Sequence, residues 1–321
     1  MAQLTNRSPV ERSHYHQPSH TNRRLIIFNA DDFGFSTGVN QGIIKAHQQG
    51  VLTSTSLMVT GQAFDEAVSL AKAHPNLAVG LHLVLDSEKA VLSPQQIPHL
   101  VDSKGNFSEK QAQAGVYYHL ISEVRRELHL EIRAQLEKFR STGLQLSHVD
   151  GHHHMHFNPV VLQTLVDLAD EFNIKVIRLP FEELTLTLNL DNRDRLNKFL
   201  WYLIIRCLRW YGERLLKPKQ IFFPQRVYGW LESGNMNESY LLGLIPQIQA
   251  DFVEIYSHPA IALPGEPMNG PPGSGQLELE ALMSQRVREI LDTYGFELTN
   301  YYGLDKYTFQ KLGIVKDTGS L

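Results

Sequence analysis

The chain contains one cysteine, Cys207, among 321 residues. That excludes an internal disulfide framework and fits a reducing compartment. No apolar run reaches the roughly 18 residues that a membrane-spanning helix needs. A basic surplus is also missing. The 30 Lys and Arg stand against 34 Asp and Glu, a formal net charge of −4, which argues against a nucleic-acid binder. Residues 1–23 lack the apolar stretch of a secretory signal. They are polar, hold His14, His16 and His20, and read as a disordered lead-in. The expected compartment is the cytoplasm, with association at a membrane surface left open. Neither an internal repeat nor a Ser/Gly-rich linker divides the remainder of the chain. The expected organisation is a single domain over 24–304, with insertions near 86–120 and 181–235, and a C-terminal tail over 305–321.

What is present is an alternation of strand-like and helix-like segments. At 42% hydrophobic and 20% charged residues the composition is that of a soluble globular protein, and the length permits a large α/β core. Leu25 to Phe28 is a short apolar run of the kind a buried parallel strand shows. Ser36 or Thr37 can cap a helix that runs to Gln49 and stops at Gly50. Further strand patterns lie at 52–59, 77–83, 144–149, 174–179, 252–256 and 296–301. Helix patterns lie at 64–73, 121–139, 160–171, 193–216, 238–248 and 277–294. Repeated βα units favour a parallel sheet with crossover helices. About seven parallel strands suit a distorted (β/α) barrel, whose functional groups gather at the strand C-termini.

Polar clusters fall at those ends. Asn29-Ala30-Asp31-Asp32-Phe33-Gly34 follows the first strand. Side-chain alternation sends its two carboxylates to different sides, so one can bind a cation while the other serves as a base. A plain turn with a helix cap is the competing reading. His82 lies in the apolar string Gly80-Leu81-His82-Leu83-Val84. A lone strand histidine is commonly a satisfied core residue, but near a strand end this one would share a mouth with Asp32.

Five of the 15 histidines fall between 148 and 156, in His148-Val149-Asp150-Gly151-His152-His153-His154-Met155-His156. Extended alternation puts His148, Asp150 and His152 on one face. Imidazoles suit Zn²⁺ and similar ions, and Asp150 could orient a ligand through its other ring nitrogen. A surface His-rich loop is the bland alternative, and the cluster's place at the end of an apolar strand speaks against it. His258, before Pro259 at another strand exit, suits a general acid or a turn position. Arg178 could orient Asp31, bind substrate, or form a surface ion pair.

Asp32, His82 and one further histidine would hold a divalent ion and leave coordination positions open, as a catalytic site requires. Asp31 would then take a proton from water, and His258 would protonate a departing amine. Hydroxamate and phosphate chemistry fit the same donor set.

Taken in this order, Asn-Ala-Asp-Asp-Phe-Gly, Gly-Leu-His and His-Val-Asp-Gly-His-His-His-Met-His resemble the YdjC-like, or chitooligosaccharide deacetylase, family, from Leu25 to about Tyr301. The resemblance implies a distorted (β/α) barrel that hydrolyses the acetamido group of an N-acetylated amino sugar with one divalent ion, Mg²⁺ or Zn²⁺. It implies Asp32, His82 and His152 as ligands, favouring His152 over His153, His154 and His156, with Asp31 as base and His258 as acid. Segments 114–118, 124–128, 131–135 and 177–180 look like the hopanoid-biosynthesis-associated deacetylase subgroup, which would make the substrate a glycolipid. Asp150-Gly151-His152-His153-His154 departs from that subgroup and follows the chitooligosaccharide branch.

Phe199, Trp201, Tyr202, Trp210 and Tyr211 crowd one short segment with Arg195, Arg206, Arg209 and Arg214 beside them. Core packing or a homodimer contact is one reading, and a peripheral membrane contact or a cover for a lipid tail is the other. Two rival functions remain. A glycosidic or sugar-phosphate hydrolase would release reducing sugar without acetate. A non-catalytic glycolipid-binding protein would bind sugar regardless of chelators.

Overall fold

Strand β1, Arg24–Phe33, runs through the centre of the sheet because its apolar residues are flanked on both edges by parallel partners. The computed structural model describes residues 24–109, 118 and 121–304. The expected lead-in, the C-terminal tail and residues 114–117 of the subgroup-like segment lie outside these. Strands β2 (Ser54–Leu57), β3 (Ala78–Leu83), β4 (Val149–Gly151), β5 (Arg226–Tyr228), β6 (Phe252–Ser257) and β7 (Phe296–Leu298) complete a seven-stranded sheet. Its order is β4-β3-β2-β1-β6-β5, with β7 pairing the start of β1, and every ladder is parallel. β2, β3 and β6 are buried along their whole length, as strands covered on both faces must be.

Residues 174–179, expected as a strand, make only single parallel bridges, Val149 to Ile177 and Val176 to Phe222. They still carry the ladder from β4 toward the chain that becomes β5, so the sheet curls into a distorted, incomplete barrel.

Helices α1 (Thr37–Gln49), α2 (Phe64–Ala73), α3 (Ser122–Ser141) and α4 (Pro159–Phe172) alternate with the first strands. Their ends follow local chemistry. Ser36 caps α1 by accepting from Val39 N, and Asn158 caps α4 with Pro159 in its first turn. Next come α5 (Leu184–Leu190), α6 (Arg195–Leu216), α7 (Glu238–Leu244), α8 (Ser274–Leu282) and α9 (Gln285–Thr293). The single helix expected over 277–294 is two, because Ser284 Oγ accepts from the backbone of Arg286 and Val287 and starts a new helix. Of the strand expected over 144–149 only Val149 is in the sheet, where it opens β4; residues 144–148 form no strand. Among the described residues, no helix is long and apolar enough to cross a membrane.

Candidate metal centre

The side chains at the strand C-termini are placed by two local departures from regular backbone. The β1–β2 register shifts between Ala30 and Phe33, and Asp32 there takes a left-handed φ of 67°. Such a bulge re-aims side chains. It, rather than simple strand alternation, turns Asp32 away from Asp31. After β4 the chain tightens into a 3₁₀ turn, His152–Phe157, with left-handed backbone at His153 and His154.

Asp32 Oδ1 lies 3.2 Å from His82 Nε2 and 3.0 Å from His152 Nδ1. Its Oδ2 accepts from Asn269 Nδ2 at 3.2 Å. Two donors about 2.1 Å from one ion would stand roughly 3.0 Å apart at right angles and roughly 3.4 Å apart at tetrahedral angles, so this spacing suits ligands on a shared cation. His82 Nδ1 faces Asp150 Oδ1 at 2.8 Å, the carboxylate–imidazole arrangement that fixes a ligand's ring. Asp150 Oδ2 accepts from Ser56 Oγ at 2.6 Å, and Ser56 Oγ also meets His148 Nε2 at 3.1 Å. His148 and Asp150 therefore do share a face. Gly80 is required beneath them, because a Cβ there would sit 2.4 Å from the His148 ring.

Arg178 is fully buried and binds three carboxylates. It donates to Asp31 Oδ2 and Oδ1 at 2.8 Å each, pairs with Asp150 Oδ2 at 2.8 Å, and donates to Glu254 Oε1 at 2.6 Å. Its guanidinium also stands 4.6 Å from the centroid of the Tyr256 ring. The surface ion pair considered for this residue is thereby ruled out. Asn29 Nδ2 adds a third donor to Asp31, at 2.8 Å from Oδ1.

Three buried carboxylates, Asp31, Asp150 and Glu254, surround one guanidinium, and buried Asp32 stands against His82 and His152; if all four were ionised, Arg178 alone would leave three negative charges unbalanced. Burying unbalanced charge is costly, and the titration directions show how the surplus is met. Burial opposes a charge on His82, yet Asp150 and Asp32 lift it to about 10. His152 is raised by Asp32 against the same burial cost. Asp32 is held well below its usual range by His152 and His82, although burial works against ionisation. Burial raises Glu254. A divalent cation between Asp32, His82 and His152 would supply the same positive charge that these protons supply.

The other histidines differ. His153 is half exposed and faces Asp86 Oδ2 at 3.0 Å; with His152 they form a second trio of ligand-type atoms. Asp86 Oδ1 is buried with no hydrogen-bond partner. His154 Nε2 meets the Tyr256 hydroxyl at 2.8 Å, and its ring stacks on Trp230. His156 faces the Arg178 carbonyl at 2.9 Å, and burial pushes it down to about 4. His258 is not drawn into the Asp32 group. Its ring stands edge-on to Tyr256 at 5.8 Å, with Glu278 Oε2 3.9 Å from Nδ1.

Sequence patterns assign no role to Glu254, Ser56, Asn269 or Asp86. A glutamate inside the apolar strand Phe252–Ser257 is a visible sign of a buried charge pair; Ser56, Asn269 and Asp86 carry no comparable signal.

A curled parallel sheet with one carboxylate and two imidazoles converging at its strand ends defines an α/β barrel with a candidate metal centre. Residues 25–293 match the YdjC-like protein family, and the chain belongs to it. It is 30% identical to a carbohydrate deacetylase of Vibrio parahaemolyticus over 296 residues, covering 90% of this chain and 99% of that one. It is 48% identical to a carbohydrate deacetylase of Brevibacillus brevis over 151 residues, 47% of this chain. The chain spans 58% of the length of that relative. A solved structure from Enterococcus faecalis V583, provisionally assigned to cellobiose-phosphate cleavage, superposes with a TM-score of 0.66 at 26% identity. It covers 88% of this chain and 98% of its own.

Proposed function

We propose that this protein is a carbohydrate N-deacetylase, hydrolysing the acetamido group of an N-acetylglucosamine-containing carbohydrate or glycolipid. The observation that carries the reading is the convergence of one carboxylate oxygen and two imidazole nitrogens, from Asp32, His82 and His152, at the strand ends. The carbohydrate deacetylases among its relatives support the choice of substrate. Two imidazoles against one carboxylate favour Zn²⁺ over Mg²⁺, which prefers oxygen ligands.

A divalent ion held there would supply Lewis acidity to the amide carbonyl and make a water more acidic. Asp31 is the base. Arg178 and Asn29 fix the plane of its carboxylate, and Oδ2, which accepts from Arg178 Nη1, is the atom that takes the proton. Asp150 orients His82, and Arg178 orients Asp31. His258, partly exposed beside Tyr256, delivers a proton to the leaving amine nitrogen.

The test is acetate release by the Zn²⁺-loaded protein from a panel of soluble and lipid-linked N-acetylglucosaminyl substrates. Asp31→Asn should abolish turnover and keep the metal; retained turnover would remove Asp31 from its role. Reducing sugar without acetate would instead mark a glycosidic or sugar-phosphate hydrolase. Sugar binding indifferent to chelators, with no product, would mark a binding protein.

A further inference from the structure

Helix α6 is apolar around much of its circumference, yet it lies at the surface. Seven of the nine exposed large hydrophobic side chains among the described residues belong to it, within Leu196 to Trp210. Helical spacing separates its two sides. Lys198, Ile205, Arg209, Gly212 and Leu216 are buried, with Gly212 close against Leu179 and Leu162. Leu196, Leu200, Leu203, Cys207 and Trp210, spaced by four, three, four and three, form the opposite, exposed stripe. The expectation of core packing therefore fails for this stripe.

Charge selects what covers it. Arg195, Arg206 and Arg214 are exposed on the helix. Its one carboxylate, Glu213, is tied to Arg209 and Lys217 at 2.7 and 2.6 Å. A two-fold contact with a second copy would set these arginines against their own counterparts, and like charges across an interface are costly. Anionic headgroups would pair with them, while Trp201 and Trp210 suit the polar–apolar boundary of a bilayer. The ridge also leads to the His152–Phe157 turn that carries one of the candidate ligands. Trp201 lies 6.2 Å from Trp230, ring to ring, and Trp230 stacks on His154 at 4.2 Å.

We infer that α6 is an interfacial helix that docks the protein on an anionic lipid surface and brings the mouth of the candidate centre beside it. The inference is separable from the hydrolytic reading, because the assay that tests it records binding and no turnover.

Cys207, exposed and the single cysteine of the chain, supplies the probe. A thiol-reactive, polarity-sensitive fluorophore there should shift to the blue with vesicles of phosphatidylcholine containing about one third phosphatidylglycerol. The unlabelled chain should cosediment with these vesicles, about tenfold more weakly with pure phosphatidylcholine, and less as salt rises. Leu200→Glu with Leu203→Glu, both at exposed positions, should keep the circular dichroism of the parent and lose binding by about tenfold or more. A parent chain that stays in the supernatant with anionic vesicles overturns the inference, as does a double variant that binds equally well. A parent that is dimeric by analytical ultracentrifugation, becomes monomeric in the double variant and ignores vesicles assigns the stripe to a second copy and overturns it too.

Discussion

Asp150 Oδ1 stands 2.8 Å from His82 Nδ1, and the opposite ring nitrogen, Nε2, points at Asp32 Oδ1, 3.2 Å away. One carboxylate thus sets which nitrogen of His82 faces the candidate ligand position, while its other oxygen is held by Ser56 and Arg178. Replacing Asp150 by Asn keeps the shape and removes the charge. The expected outcome is a Zn²⁺ affinity about 10–100-fold weaker by titration calorimetry. An unchanged affinity would show that His82 needs no such partner.

Proton and metal compete for the same nitrogen. His82 is lifted to about 10, with Asp150 and Asp32 overcoming burial, so at neutral pH an incoming ion must displace its proton. Raising the pH removes the competitor, and affinity rises by about tenfold per pH unit for each proton released. Zn²⁺ titrations in buffers of different ionisation enthalpy count those protons. A dissociation constant flat between about pH 6 and 8 would contradict this competition.

Arg178 is fully buried between Asp31, Asp150 and Glu254. Those carboxylates, with burial acting against them, hold it well above its usual range, so it stays charged at any working pH. Arg178→Met leaves the three carboxylates without their common partner, and removing one side of a buried ion pair costs about 3–5 kcal/mol. In a domain of this size that lowers the melting temperature by on the order of 10 °C. Arg178→Lys should restore little, since one ammonium cannot reproduce the two parallel bonds to Asp31. A melting temperature within about two degrees of the parent would refute the assignment.

His156 contributes an acid limit to stability. Burial holds it neutral in the folded chain down to about 4, whereas an unfolded histidine titrates near 6.5. The folded state binds fewer protons between these values, so its stability falls as pH drops through that window and levels off below it. The gap between 6.5 and about 4 corresponds to about 3 kcal/mol at the low-pH end. Urea unfolding from pH 7 to pH 4 measures it, with His156→Gln as the reference that removes this one contribution. Parallel pH profiles for parent and variant would show that His156 carries none of it.

Period and composition made the βα succession legible, and with it the strand ends where polar clusters collect. The apolar runs of β1, β3 and β6 need burial on both faces, which leaves few other arrangements. α2 lies where its spacing places it. The Ser284 cap was equally visible, yet a continuous apolar rhythm across it hid the break between α8 and α9. Segment 174–179 reads as a strand by content, but it has only single bridging partners, so its pairing was decided by the curl of the sheet.

Local chemistry therefore determined where elements start, which residues are apolar, and which polar side chains stand at strand exits. Tertiary structure alone decided the bulge that turns Asp32 toward His82 and His152, the meeting of Arg178 with Glu254, and which side of α6 faces outward. The reason is physical. Helix caps and periodicity act within a few residues, whereas the partner of a buried charge, or of an apolar stripe, is set by chain segments far away in sequence. Arg178 and Asp31 lie 147 residues apart and reach one another only after the strands between them have paired.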